Sequence, residues 1–190
     1  MFPIKKNFIL TVGILLILCS CNSKIEDTVK SFGGQVVLTP SELPSGTDRV
    51  AWVAKDKEFD IVINLQGDEP FISAKLLDQL VGVFIDREIE MATPIRKIEN
   101  HHDLNNPNLV RVIRNKKGFA IYFSRSVIPF IRDVENQEEW IDKHMFFKHI
   151  GIYAYRKELL LRLTELSQSP LERAEKLEQL RAIENGIHIY

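Results

Sequence analysis

Cysteine is almost missing from this sequence: of 190 residues only Cys19 and Cys21 carry a thiol, and everything from Asn22 onward has none. A disulfide framework is therefore excluded for the body of the chain. That absence suits a cytosolic protein and equally an exported one. An excess of either charge is missing as well. Lysine and arginine total 25 against 26 acidic residues, so bulk charge gives no reason to expect nucleic acid or an anionic membrane as partner, and any phosphate binding must be local. From Lys24 on there is no low-complexity tract, no internal repeat and no long Pro/Gly/Ser linker. With 45% apolar residues the chain can bury a sizeable core, and its length suits one ordinary domain preceded by a leader.

That leader is residues 1–23. Lys5 and Lys6 form a basic start, Phe8 to Leu18 an apolar run, and Cys19-Ser20-Cys21 closes it, the layout of a secretory signal. The run is short of the ~20 apolar residues wanted for a membrane span. Leu18-Cys19-Ser20-Cys21 resembles the lipobox of bacterial lipoproteins, which makes Cys21 the candidate for lipidation. A buried first strand or helix, or an aberrant N-terminus on a cytosolic enzyme, are the other readings.

Residues 24–190 alternate helix and strand patterns. A short helix near Ile25 to Phe32, a strand Gln35 to Thr39, a turn-rich segment Pro40 to Gly46 and a helix from Thr47 or Asp48 to Lys55 come first. Asp60 to Leu65 is a nearly continuous apolar run, and the helix after it, Ser73 to Asp86, has Leu76, Leu77, Leu80 and Phe84 on one side. That combination predicts a strand buried on both faces of an α/β sheet. Further strands are expected over Glu90 to Ile98, Leu109 to Asn115, Phe119 to Ser124 and His149 to Tyr155, with a polar stretch Arg132 to Lys143. Helices over Arg156 to Ser167 and Leu171 to Asn185 and a strand Ile187 to Tyr190 close the chain.

Gln66-Gly67-Asp68-Glu69-Pro70 ends the Asp60 to Leu65 strand in a tight turn bearing two carboxylates, at the edge where open α/β sheets place ligands. A carboxylate there can hold Mg²⁺, which prefers oxygen ligands shared with substrate phosphates; the same residues are also ordinary turn formers. Ser45-Gly46-Thr47-Asp48 is good helix-start chemistry, compatible with binding. His101 and His102 look like a metal pair, but neighbours on a loop make poor bidentate ligands.

These motifs, taken in order, resemble the 3-deoxy-manno-octulosonate (KDO) cytidylyltransferase family. They are Ser45-Gly46-Thr47-Asp48-Arg49, QGDEPF at 66–71, YFSR at 122–125, HIGIYAY at 149–155, and SPLE at 169–172 leading to LEQLR at 177–181. The match runs from about Ile25 to Tyr190. The resemblance implies a nucleotide-diphosphosugar-transferase type of α/β fold, a mixed sheet with flanking helices, in a cytoplasmic homodimer. It implies transfer of a cytidylyl group from CTP to the sugar acid KDO, with release of pyrophosphate, and no nucleic-acid partner. It assigns Asp68 to catalysis and to Mg²⁺, Ser45, Gly46 and Arg49 to the nucleotide, and Gln66, Arg125, His149, Tyr153, Glu178 and Gln179 to the sugar. Glu178 and Gln179 are consecutive on an expected helix, so their side chains diverge by about 100° and only one can point straight into a cleft.

The family's opening Arg- and Lys-bearing phosphate loop has no counterpart before Ile25, and its second metal-binding aspartate, in a GVDTPEDL-type segment, is not found by Tyr190. The expectation is a chain truncated at both ends with impaired activity, since losing such contacts costs several kcal/mol in the transition state. Two other readings remain. One is a sugar-acid cytidylyltransferase with another substrate. The other is an envelope protein anchored in the membrane through Cys21, its transferase-like domain degenerate, which a lipid label lost on Cys21→Ala would mark. Pyrophosphate release by the 190-residue chain is expected to be negligible beside that of a full-length family member; comparable turnover would refute the impairment.

Overall fold

The computed structural model describes residues 17–20, 23–65 and 72–190. They divide into two compact units between Pro44 and Ser45. The first holds strand β1 (Ile17–Ser20), helix α1 (Ser23–Ser31) and strand β2 (Gln35–Leu38), with β1 and β2 parallel and Ile17 opposite Gln35. Parallel neighbours need a crossover, and α1 provides it. The helix stops where Gly33 turns to a φ of 78°, which lets the amides of Gly33 and Gly34 reach back to the carbonyls of Lys30 and Val29 at 3.0 Å each. Glycine takes that left-handed position without a Cβ clash. β1 falls within the leader-like segment 1–23, whereas Cys21 lies outside the described residues. No helix among the described residues is long and apolar enough to cross a membrane.

The second unit opens with helix α2 (Gly46–Ala54) and strand β3 (Ile61–Leu65). Helix α3 (Ala74–Gly82), capped by Ser73, tightens into a 3-10 turn over Val83–Ile85. Strands β4 (Met91–Ala92) and β5 (Ile95–Lys97), helix α4 (His101–Asn105), and strands β6 (Arg111–Arg114) and β7 (Ala120–Ser124) follow. Then come helix α5 (Trp140–Lys143), strands β8 (Phe147–His149) and β9 (Ile152–Arg156), and helices α6 (Lys157–Thr164), α7 (Pro170–Glu175) and α8 (Gln179–Glu184). The strands form two antiparallel sheets, ordered β3-β9-β4 and β5-β8-β6-β7. With the parallel pair of the first unit, the α/β class with mixed strand directions is as expected.

Three expected elements are broken in two. Glu90 to Ile98 splits at Thr93-Pro94 into β4 and β5, and His149 to Tyr155 splits at Ile150-Gly151 into β8 and β9. The breaks face each other: Ala92 pairs with Ala154 in one sheet, Ile95 with His149 in the other, and the Ile150 amide donates to the Pro94 carbonyl at 3.1 Å between them. Pro94 has no amide for a ladder, and the Thr93 hydroxyl lies 2.7 Å from the Ile152 carbonyl and 3.2 Å from that of Ile150, which also accepts the Ile152 amide at 2.7 Å. The third break divides Leu171 to Asn185 into α7 and α8 at Lys176, which sits at a φ of 56°. At the chain's end, only Ile189 bridges Met91, in parallel.

The strand buried on both faces is β9, not β3. Tyr153 and Tyr155 pack with Leu159, Leu160 and Leu163 of α6 and Leu180 of α8, while Ile152 and Ala154 pack on the other side with Leu80, Phe84 and Ile89. In β3 the one deeply buried residue is polar, Asn64. α7 begins with a capping box in which Ser169 and Glu172 bond each other's backbone amides. The same Glu172 carboxylate holds Arg181 of α8 by two hydrogen bonds of 2.8 and 2.6 Å, the side chains only 5% and 10% exposed. Burial pushes the Glu172 carboxyl up, but Arg181 and the Ser169 amide outweigh it and hold it below the usual range. Glu172→Ala leaves the buried guanidinium only its 3.8 Å approach to Glu178 as an ion pair and should destabilise the fold by about 3–5 kcal/mol in urea unfolding; a loss below about 1 kcal/mol would mean that water or Glu178 replaces the pair.

Candidate active site

α2 starts where the sequence places a cap: the Ser45 hydroxyl accepts the Asp48 amide at 3.1 Å. The single proton of that hydroxyl faces two carboxylate oxygens, Oδ2 of Asp48 at 2.5 Å and Oε1 of Glu178 at 3.1 Å. The other Glu178 oxygen accepts from Thr47 at 2.7 Å, and Thr47 in turn accepts from the Asn64 amide at 3.2 Å. So the start of α2, the end of β3 and the residue that opens α8 are joined by one hydrogen-bonded chain. Gly46 and Arg49 stand beside it on the first turn of α2. Thr47 and Asp48 belong to the helix-start motif but carry no site role from the sequence, and neither does Asn64, for which a lone amide inside the apolar run Ile61 to Leu65 is the available signal.

A row of rings continues from Asn64. Tyr153 stands directly opposite it across the β3–β9 ladder, so both side chains face the same side of the sheet. Tyr153 stacks on Tyr155 with ring centres 6.0 Å apart, and His149 lies 5.1 Å from Tyr153 and 5.4 Å edge-on to Phe123. Burial comes first for both, followed for Tyr153 by the neighbouring phenol and then Glu178 and for Tyr155 by Glu178; together they push both phenols up. They stay neutral donors at physiological pH. His149 Nε2 is 2.9 Å from the Thr93 hydroxyl. Since that hydroxyl has carbonyls to donate to, the arrangement assigns the imidazole proton to Nε2 and leaves Nδ1 as an acceptor. Burial pushes His149 down to about 4.

Arg125 leaves the end of β7 and is tied to Glu175. Its amide donates to the Glu175 carboxylate and its Nε to the Glu175 carbonyl, both at 3.0 Å. Gln179, next to Glu178, is buried with its amide nitrogen Nε2 lacking a partner among the described residues. The two neighbours thus diverge as expected, Glu178 toward Ser45 and Thr47 and Gln179 into the interior. Gln66 and Asp68 lie outside the described residues, directly after β3. Among the described residues no three His, Cys, Asp or Glu side chains are grouped as a metal centre; His101 and His102 are exposed on α4. A cavity of about 270 Å³ beneath α3 is lined by Leu76, Leu80, Val83 and other mainly apolar residues, and shares only Thr93 and Phe123 with the groups above.

A family model described as cytidylyltransferase matches residues 15–189. The chain belongs to the cytidylyltransferase family. Among its curated relatives, the 3-deoxy-manno-octulosonate cytidylyltransferase of Cytophaga hutchinsonii is 48% identical over 171 residues, 89% of this chain and 68% of the relative. That of Thermodesulfovibrio yellowstonii is 47% identical over 178 residues, covering 88% and 69%. Among solved structures, a CMP:2-keto-3-deoxy-manno-octonic acid synthetase complexed with CTP aligns with a TM-score of 0.82 at 38% identity, over 91% of this chain and 69% of that one. The cytidylyltransferase therefore spans about two thirds of the length of these relatives, and the family read from its motifs is the one they represent.

The depressed value of His149 has a defined consequence for stability. Between about 4 and its ordinary value of 6.5 the unfolded chain takes up a proton that the folded imidazole refuses, so its contribution is complete above the ordinary value and is lost as the pH falls toward the folded one. In an NMR titration the His149 ring should remain neutral at about pH 5.5. A midpoint close to the ordinary value would show instead a solvated ring.

Proposed function

We propose that this cytidylyltransferase transfers the cytidylyl group of CTP to the sugar acid KDO. A sugar hydroxyl oxygen forms a bond to the α-phosphorus, the bond from that phosphorus to the β-phosphate bridge breaks, pyrophosphate departs with the bonding electrons, and the hydroxyl proton is lost. The observation that carries the reading is the Glu178 carboxylate, which accepts from both Ser45 and Thr47. It joins the segment that resembles the nucleotide site to the segment that resembles the sugar site. The relatives named above support the substrates.

In this reading Ser45, Gly46 and Arg49 bind the cytidine end, with α2 offering the amides of Gly46 and Thr47, which the helix's own hydrogen bonds do not use. Arg125 receives the sugar carboxylate, for which a planar guanidinium is suited. Neutral His149 accepts a sugar hydroxyl at Nδ1, and the phenol of Tyr153 donates. Gln179 brings an amide nitrogen that gains from a ligand oxygen, because a buried donor without an acceptor is costly. Gln66 and Asp68 complete the set at the end of β3. Asp68 is the residue that would hold Mg²⁺, which when bound would offset charge on the phosphates.

Calorimetric titration should show saturable KDO binding that a neutral hexose does not reproduce, weakened by about tenfold or more in Arg125→Ala, which removes a charge-assisted contact. No heat from KDO, with or without CTP present, would sink the reading.

A further inference from the structure

Arg125 is held on every side but one. Its amide donates to Glu175 Oε2 at 3.0 Å, and its carbonyl accepts from Arg111 Nη1 at 2.7 Å. Its Nε donates to the Glu175 carbonyl at 3.0 Å, and its Nη1 reaches the Pro107 carbonyl at 3.4 Å. Nη2 has no partner among the described residues. Glu175 Oε1 accepts the hydroxyl proton of buried Ser124 at 2.6 Å, so one carboxylate grips two consecutive residues at the end of β7. Behind them, the fully buried Arg111 also donates to the carbonyls of Leu109, Asp103 and Leu104.

We infer that Glu175 is a positioning residue for the sugar-acid site, fixing the backbone and the Nε edge of Arg125 so that Nη2 is offered to the substrate carboxylate. The inference rests on Arg125 being the carboxylate ligand of the proposed function. An arginine at an exposed strand end otherwise samples many rotamers, and ordering it on binding lowers affinity; fixing it beforehand removes that cost. Glu175 sits one residue before the left-handed Lys176 and three before Glu178. The same turn therefore places Arg125 by hydrogen bonding and Glu178 by covalent continuity, and strain at Lys176 is tolerated because both contacts demand the turn. A glutamine at 175 keeps the shape, its oxygen still accepting from the Arg125 amide while the Ser124 hydroxyl turns to accept from its NH2, but it removes the negative charge that strengthens both bonds.

The test uses the whole chain, with KDO and CTP affinities by calorimetry, the melting temperature, and hydrogen exchange of the Arg125 Nε–H by nitrogen-resolved NMR. Glu175→Gln is expected to weaken KDO binding about tenfold while CTP affinity stays within about twofold, the loss of one charge-assisted bond acting at one substrate only. Exchange at Arg125 Nε–H should speed up by about tenfold as the clamp loosens. A general loss of folding would lower both affinities and the melting temperature together. Should Glu175→Gln fail to fold, Ser124→Ala, which removes one donor from the carboxylate, is expected to give the same selective loss at smaller size. Unchanged Nε–H exchange overturns the inference, as does unchanged KDO affinity in Glu175→Gln where Arg125→Ala weakens it. If Arg125→Ala leaves KDO binding intact, the fault lies instead with the assignment of Arg125 to the sugar, and the exchange measurement alone then judges the clamp.

Discussion

The second unit depends on two strands leaving one sheet for the next at the same level. β4 and β9 pair up to Ala92 and Ala154, and β5 and β8 resume at Ile95 and His149. Between them a ladder is impossible, because Pro94 has no amide to give. The Thr93 hydroxyl covers the gap by reaching the carbonyls of Ile150 and Ile152. Each such bond is worth only about 1 kcal/mol net, but a buried carbonyl left without a donor costs more. The bend also bears on the proposed function: it sets His149 on Thr93 at one end and the Tyr153–Tyr155 row at the other, so the ring proposed to meet the sugar is oriented by the joint between the sheets.

The polar groups nearby are arranged as acceptors backed by fixed donors. Glu178 has both oxygens engaged by hydroxyls, while Arg181, 3.8 Å away, is committed to Glu172 by a closer, bidentate pair. The buried cation therefore balances charge without neutralising Glu178 directly. Arg111 plays the comparable part under β7, its charge spread over backbone carbonyls of α4 and the strand ends. Such buried groups are costly when half satisfied and rigid when fully satisfied, and here they border the residues that the proposed function uses.

Local chemistry made part of this legible. Ser45 reads as a helix cap and is one; the strand over Ile61 to Leu65, the α/β class and the family motifs all appear in the chain's own order. The errors have a common physical source. HIGIYAY and the run Glu90 to Ile98 carry continuous strand character, and nothing within either shows that the two bend together. Lys176 is a good helix former, so its left-handed turn has no local signal; it is imposed by contacts of Glu175 and Leu177 with distant residues. β3 has the apolar run, yet the strand with two buried faces is β9, since helices α6 and α8 cover one side of it and α3 the other.

The sequence by itself determined the α/β class, the helix starts and the cytidylyltransferase family, because caps, hydrophobic periodicity and short motifs are properties of neighbouring residues. Only the tertiary structure decided that Ser45 and Thr47 share Glu178, 133 and 131 residues away, that Thr93 holds His149 and that Glu175 grips Arg125. Those contacts follow from strand order and from a joint between two sheets, and their geometry is fixed by which backbone groups remain to be satisfied once the elements have packed.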